Sequence, residues 1–168
     1  YCMACLKQFM GYLGGKAGAG KSRVIKALLT MACLWKRPTS VMACASTGIA
    51  AVNASGSTVH KLFSIDIAGL PRHSSPTHAH IEKFTHLKLL IIDEVSTLSP
   101  SLAGNIDQQL RIFKEKSHLP AGGTHVLFVG DWLQLPPTVG RALYREPSLE
   151  ATDVMKAGHD LYAQISTA

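Results

Sequence analysis

Short, almost unbroken apolar runs alternate along this chain with longer segments in which apolar residues recur every three or four positions. The runs lie near Phe9 to Leu13, Ser40 to Ala45, Leu87 to Ile92 and His125 to Val129. Each is of strand length and nearly all apolar, the pattern of a strand covered on both faces. Between them, Val24, Leu28 and Ala32, with Ile25 and Leu29 beside them, give one helix its apolar stripe, and Leu102, Ile106, Leu110 and Phe113 give a second. Strands alternating with helices predict βαβ crossovers, hence an α/β fold with a parallel sheet in a three-layer αβα sandwich. The polar, turn-rich stretch "AGLPRHSSPTHAH", Ala68 to His80, reads as a surface excursion between the second and third strands. "HLPAGG", His118 to Gly123, turns the second helix into the last strand. No repeat, low-complexity tract or linker divides the 168 residues, so one domain over 1–168 is expected.

Composition is compatible with a soluble globular core, at 46% hydrophobic and 17% charged residues. No run reaches the roughly eighteen apolar residues of a membrane span, and no basic-then-apolar leader opens the chain, so an intracellular protein is expected. Charge changes the picture more. The net charge is +6, and Asp66 is the first carboxylate, preceded by Lys7, Lys16, Lys21, Arg23, Lys26, Lys36, Arg37 and Lys61. Such an end attracts phosphate-bearing partners, although a solvated surface has the same composition. Cys2, Cys5, Cys33 and Cys44 do not form a disulfide framework, and free thiols are expected. Cys2 and Cys5 form a C-x-x-C, and with His73, His78 and His80 would supply zinc ligands; no second C-x-x-C follows, and the histidines read as loop residues.

The strongest chemical signal is Gly15-Lys16-Ala17-Gly18-Ala19-Gly20-Lys21-Ser22, which satisfies G-x-x-x-x-G-K-[ST] at every fixed position. Glycines let successive backbone N–H groups converge on one anion, and the helix starting near Lys21 adds its partly positive N-terminus. Lys21 is expected to reach the β- and γ-phosphates of ATP, with the Ser22 hydroxyl completing the shell of a Mg²⁺ ion. An apolar run before the loop and an amphipathic helix after it are the context this mechanism requires.

Such a loop needs an acidic partner. "LKLLIIDEVSTLS" supplies Asp93 and Glu94 at the C-terminal end of a buried strand, the edge where open α/β sheets bind ligands. Asp93 is expected to hold the magnesium and Glu94 to accept the proton of the attacking water. Two carboxylates also end strands and cap helices for purely structural reasons, so the pair gains its meaning from the loop.

Two further stretches are not explained by ATP binding alone: "STGIAAVNASGSTVHKLF", Ser46 to Phe63, and "VLFVGDWLQLPPT", Val126 to Thr138. In order and spacing the four stretches together resemble the Pif (PIF-one) family of ATP-dependent DNA helicases, RecD-related members of helicase superfamily one that include versions carried by Helitron-type transposons. By that resemblance Gly15 to Ser22 corresponds to motif I, and Asp93 with Glu94 to motif II. Thr47, Gly48, Ala50, Ala51, Gly56, Thr58 and His60 correspond to motif Ia, which touches the backbone of single-stranded DNA. Gly130, Asp131, Gln134 and Pro136 correspond to motif III, whose glutamine senses the γ-phosphate and links hydrolysis to DNA contact.

Physical chemistry supports part of that assignment independently. Thr47 and Gly48 offer a hydroxyl and N–H groups at a helix start, and small Ala50 and Ala51 let a sugar-phosphate chain approach. His60 is equally readable as a hydrogen-bonded core histidine, Gln134 as a polar turn residue, and Trp132 as packing rather than a base-stacking surface.

The resemblance implies the first RecA-like P-loop NTPase domain of a 5′-to-3′ helicase that uses ATP and Mg²⁺, acts on single-stranded DNA in repair, recombination or telomere maintenance, and works in the nucleus or mitochondrion. Two departures stand out: Ala19 occupies a position where the family carries threonine, and "YCMACLKQFMGYL" does not reproduce its glutamine-containing adenine-contacting motif. The family's second RecA-like domain, which supplies a transition-state arginine worth about 10³ to 10⁵ in rate, is not expected within 1–168, so this chain by itself should hydrolyse ATP weakly. Two rival readings are a transposon-derived fragment that binds nucleotide or DNA without unwinding, and a P-loop NTPase that does not act on DNA.

Overall fold

A computed structural model describes residues 7–66, 70, 76–137 and 140–167 of the chain. Five parallel strands form one sheet: β1 (Met10–Gly14), β2 (Val41–Ala45), β3 (Ser57–Thr58), β4 (Leu89–Asp93) and β5 (His125–Gly130), in the spatial order β1-β5-β4-β2-β3. The four predicted strands are all present within one or two residues. β3 is two polar residues long, and no period-2 pattern announces it.

The helices α1 (Lys21–Leu34), α2 (Gly48–Asn53), α3 (Val59–Phe63), α4 (His78–Thr85), α5 (Pro100–Phe113) and α6 (Asp153–Ala163) supply the outer layers. In β4, Leu90 and Ile92 enter a large core with Phe63, Phe84, Ile106, Leu110 and Phe128, while Ile91 points the other way, into a smaller cluster with Ile25, Ala43 and Val129. That alternation within one strand, both faces apolar, is what makes the sandwich three-layered. Burying Phe63, Phe84 and Phe128 alone removes several hundred Å² of apolar surface from water, on the order of 2–3 kcal/mol per side chain.

The α1 stripe is turned relative to its predicted position. Ile25 and Ala32 are buried with Leu28 and Leu29 beside them, but Val24 is 43% exposed, because a residue one step along a helix is rotated by about 100° from the neighbour that faces the sheet. Part of the predicted polar excursion is helical: Thr77 caps α4 by accepting from the His80 N–H, so His78 and His80 are helix rather than loop residues. His80 accepts or donates at both ring nitrogens, to Ser64 at 2.9 Å and Thr77 at 3.0 Å, and its ring stacks on Phe113. Cys2, Cys5 and His73 lie outside the described residues, and among the described ones no group of His, Cys, Asp and Glu is arranged to hold a metal.

The turn into β5 is anchored from α5. Asp107, 2% exposed, accepts from the Ala121 N–H at 2.6 Å and from Arg111 Nε at 2.7 Å. α6 was not anticipated, although it carries an apolar stripe of Val154, Met155, Leu161 and Tyr162; the stripe is interrupted at Gly158, where the helix crosses α5. The two helices touch backbone to backbone: a Cβ on Gly104 would lie 1.9 Å from the Val154 carbonyl oxygen, and one on Gly158 2.0 Å from that of Pro100. Glycine in mid-helix weakens the periodic signal while permitting the contact. Gly158→Ala is expected to destabilise the fold by about 1–3 kcal/mol in chemical denaturation; an unchanged midpoint would contradict the close crossing. Among the described residues no helix is long and apolar enough to cross a membrane.

Candidate nucleotide and nucleic-acid site

The register decides where chemistry gathers. Gly14 pairs with Gly130 and Ala45 with Asp93, so the C-terminal ends of β1, β5, β4 and β2 lie along one edge of the sheet. The four sequence motifs are the segments that leave those ends.

The first is the glycine-rich loop. Gly18 and Gly20 hold φ of 81° and 88°, left-handed values that disfavour any side chain, and no other heavy atom comes within 4 Å of where a Cβ would stand on either. The constraint is therefore conformational, and it leaves the space over the loop free. A tight turn, Ala19 N–H to the Lys16 carbonyl at 3.1 Å, closes the loop, and Gly15 is tied to the β5 end by its N–H to Gly130. α1 begins on Gly20 with no side-chain cap, and in its first turn the Arg23 N–H donates to the Gly20 carbonyl at 2.9 Å. Lys21 Nζ lies across the loop, donating to the carbonyls of Gly15 at 2.5 Å and Lys16 at 3.1 Å, and Ser22 is exposed in the first turn of α1. Lys16, Ala17 and Ala19 complete this rim, all exposed or half-buried.

The acidic pair faces that rim. Asp93, 6% exposed at the end of β4, accepts from the Glu94 N–H at 2.9 Å, and Glu94 turns sharply out of the strand with φ 53° and ψ 50°. Burial holds both carboxyls above their ordinary ranges; Asp93 and Asp131 push Glu94 up further, while the Lys21 ammonium pulls both down. That shared influence of Lys21 places the loop and the acids within electrostatic reach of each other, with β5 alone between their strands. Three carboxylates against one ammonium is an environment that a divalent cation would relieve, and the Ser22 hydroxyl with the Asp93 carboxylate is the hard oxygen set that magnesium prefers.

A groove of about 640 Å³ opens beside the acids, lined by Glu94, Ser96, Gln134, Thr47, Ala50 and Asn53 among others. It brings Gln134 and Glu94 together with the α2 start. Thr47 caps α2 by accepting from the Ala50 N–H, which leaves its hydroxyl hydrogen facing solvent beside the exposed Gly48. Ala50 and Ala51 are buried with Ala45, so their small size packs α2 onto β2. Gly56 is needed for packing too: a Cβ there would meet the Ala43 carbonyl oxygen at 2.1 Å. Thr58 caps α3. His60 is half-buried and lines a second groove, of about 530 Å³, together with Thr47, Arg141 and His159.

Trp132 is packing. It stacks on Tyr12 at 5.6 Å and meets Tyr144 and Tyr162 edge-on. Gln8, the glutamine upstream of the loop, donates to the carbonyls of Pro120 and Thr124 at the opposite end of the strands, so it is remote from the phosphate loop for a structural reason. Two hydroxyls that no sequence pattern singles out stand beside the site. Thr97 donates to the Glu94 carbonyl at 2.8 Å, and Ser46, at the end of β2, is hydrogen-bonded to Thr97. Single hydroxyls separated by 51 positions leave no trace in a sequence pattern.

Comparison with known proteins agrees with this arrangement. A family profile described as PIF1-like helicase matches residues 5–155. The ATP-dependent DNA helicase PIF1 of Saccharomyces cerevisiae is 32% identical over 128 residues, 73% of this chain and 15% of that protein. PIF5 of Trypanosoma brucei brucei is 30% identical over 152 residues, 88% of this chain and 16% of that protein. The crystal structure of Bacteroides Pif1 helicase in complex with ADP-AlF3 and single-stranded DNA is similar with a TM-score of 0.65 at 34% identity, over 79% of this chain and 30% of that one. The Candida albicans Pif1 helicase gives 0.62 at 26% identity, over 90% and 34%. The chain thus spans about a sixth of the length of those two relatives, whose organisation it shares over the RecA-like P-loop fold. With its four motifs on one sheet edge and a family match across nearly its whole length, this chain belongs to the PIF1-like helicase family.

Proposed function

We propose that the chain is the first RecA-like domain of an ATP-dependent 5′-to-3′ DNA helicase motor, acting on single-stranded DNA. The observation that carries this reading is the convergence, on one sheet edge, of a phosphate loop, an acidic pair and a helix start with an available hydroxyl, the last lining one groove with Glu94 and Gln134.

In this mechanism the N–H groups of Lys16 to Gly18 and Gly20 to Ser22 cradle the phosphates and Lys21 moves from the Gly15 and Lys16 carbonyls onto the β- and γ-oxygens. Ser22 and Asp93 hold Mg²⁺, which when bound neutralises charge developing on the transferring phosphoryl group. Glu94 takes a proton from the water that attacks the γ-phosphorus, and ADP leaves. Its raised proton affinity suits that task better than an ordinary carboxylate's would. Gln134, which lines one groove with Glu94 and Thr47, reports the state of the nucleotide, and Thr47 with Gly48 seats a DNA phosphate, with His60 on the neighbouring groove. Ala50 forms the wall beneath that seat. A nuclear setting is the compartment this reading implies.

The test is the ATPase rate of the full-length protein with and without single-stranded DNA. Stimulation is expected, and it should weaken as salt rises, because phosphate contacts release counterions on binding. No stimulation at low salt would favour a P-loop NTPase that acts on something else.

A further inference from the structure

We propose that Ser46 and Thr97 are positioning residues that form a one-way hydrogen-bond relay, coupling the DNA-facing start of α2 to Glu94. The proposal rests on the helicase reading above and adds a physical link between its two halves.

Proton counting sets the direction. A threonine hydroxyl has one hydrogen, and Thr97 directs it to the Glu94 carbonyl, which accepts only. The bond between Ser46 and Thr97 therefore has Ser46 as donor and Thr97 as acceptor. The Glu94 carbonyl also accepts from the Thr97 backbone N–H at 3.0 Å, so one residue grips it twice. Glu94 is in the left-handed region at φ 53°, an unfavourable conformation for a residue with a side chain, and such conformations persist where surrounding bonds over-determine them. Thr97 supplies that restraint, and the direction in which the Glu94 carboxylate leaves the strand follows from it.

The other end of the relay adjoins the cap of α2. Ser46 is the last residue before Thr47, whose hydroxyl caps α2, and both Ser46 and Thr97 are half-buried between the two grooves. Thr97 lines both of them: it stands beside Glu94 and Gln134 on one side and beside Ser46 and His60 on the other. A DNA phosphate drawn onto Thr47 and Gly48 shifts the backbone that carries the Ser46 donor. Among the described residues, the hydrogen bonds from Ser46 to Thr97 and from Thr97 to the Glu94 carbonyl make a polar route from there to Glu94.

The experiment measures steady-state ATP hydrolysis by the full-length protein, with and without single-stranded DNA, for wild type, Ser46→Ala, Thr97→Val and Thr97→Ser. Thr97→Val should lower kcat roughly tenfold in both conditions with little change in KM, and Thr97→Ser, which keeps the donor, should recover most of it. Ser46→Ala leaves the Thr97 bond to Glu94 in place, so hydrolysis without DNA should stay at the wild-type rate. Its stimulation by DNA should fall by about five- to tenfold while DNA affinity is kept. Mg·ATP affinity near wild type verifies that each variant is folded. Should Ser46→Ala lose that affinity, Ser46→Thr, which restores the hydroxyl, must recover stimulation for the relay to stand. Full stimulation of Ser46→Ala, or equal impairment in Thr97→Val and Thr97→Ser, would overturn the relay and leave the helicase reading intact. A wild-type protein that DNA does not stimulate would remove both.

Discussion

Lys21→Ala is expected to lower ATP hydrolysis by the full-length protein by about 10² to 10³, the typical loss when one preorganised charge aimed at a transferring group is removed. Among the described residues the ammonium bonds the Gly15 and Lys16 carbonyls, both on a rim with solvent at hand, so its removal leaves neither of them buried and unsatisfied. The variant should therefore unfold at nearly the wild-type temperature while binding Mg·ATP weakly. Lys21 is also the cation that lowers the proton affinity of Asp93 and Glu94, so both should titrate at still higher pH in the variant. Hydrolysis at the wild-type rate would remove the phosphate-loop assignment.

Glu94→Gln separates binding from chemistry. General-base catalysis contributes about 10² to 10⁴ in rate, and kcat should fall by that factor while Mg·ATP still binds. Before that substitution, the wild-type rate should decline as pH falls through the raised proton affinity of Glu94, since a protonated carboxyl cannot accept from water. The stability consequence has the opposite sense. A carboxyl that titrates higher in the folded chain than in the unfolded one binds more protons when folded, so stability is lost as pH rises from the ordinary glutamate range through the raised value. Replacing Glu94 by the neutral amide removes that loss and the repulsion from Asp93 and Asp131. The variant should thus be more thermostable at neutral pH than wild type and nearly inactive, a trade expected where function keeps like charges together. Equal thermostability and equal rate would place Glu94 outside the chemistry.

The sheet and the site's acidic and glycine-rich parts were legible because each has a local cause. Leu89 to Ile92 and Val126 to Val129 are apolar at successive positions because their strands are covered twice, and Gly18 and Gly20 are glycine because φ is positive there. What was not legible depends on contacts between distant segments. α6 has local signals, the Thr152 cap that accepts from the Met155 N–H and an apolar stripe of Val154, Met155, Leu161 and Tyr162, but the stripe is interrupted at Gly158, where the helix crosses α5. α4 follows a turn-rich stretch and shows itself only through the Thr77 cap. β3 owes its existence to β2, which it pairs at Cys44 and Ala45. In motif Ia, Ala50, Ala51 and Gly56 serve the packing of α2 and β2, a distinction that residue identity alone does not make. Ser46 and Thr97 become neighbours only when β2 pairs with β4.

The most direct measurement is an equilibrium titration of ATP into the full-length protein, with and without Mg²⁺, for wild type, Lys21→Ala and Asp93→Asn. Saturable binding strengthened by Mg²⁺ is predicted for wild type, with weak binding for Lys21→Ala and loss of the Mg²⁺ enhancement for Asp93→Asn. Nucleotide binding that is indifferent to Mg²⁺ and to both substitutions, or no binding at all, would contradict a triphosphate seated in the loop that ends at Lys21, opposite Asp93.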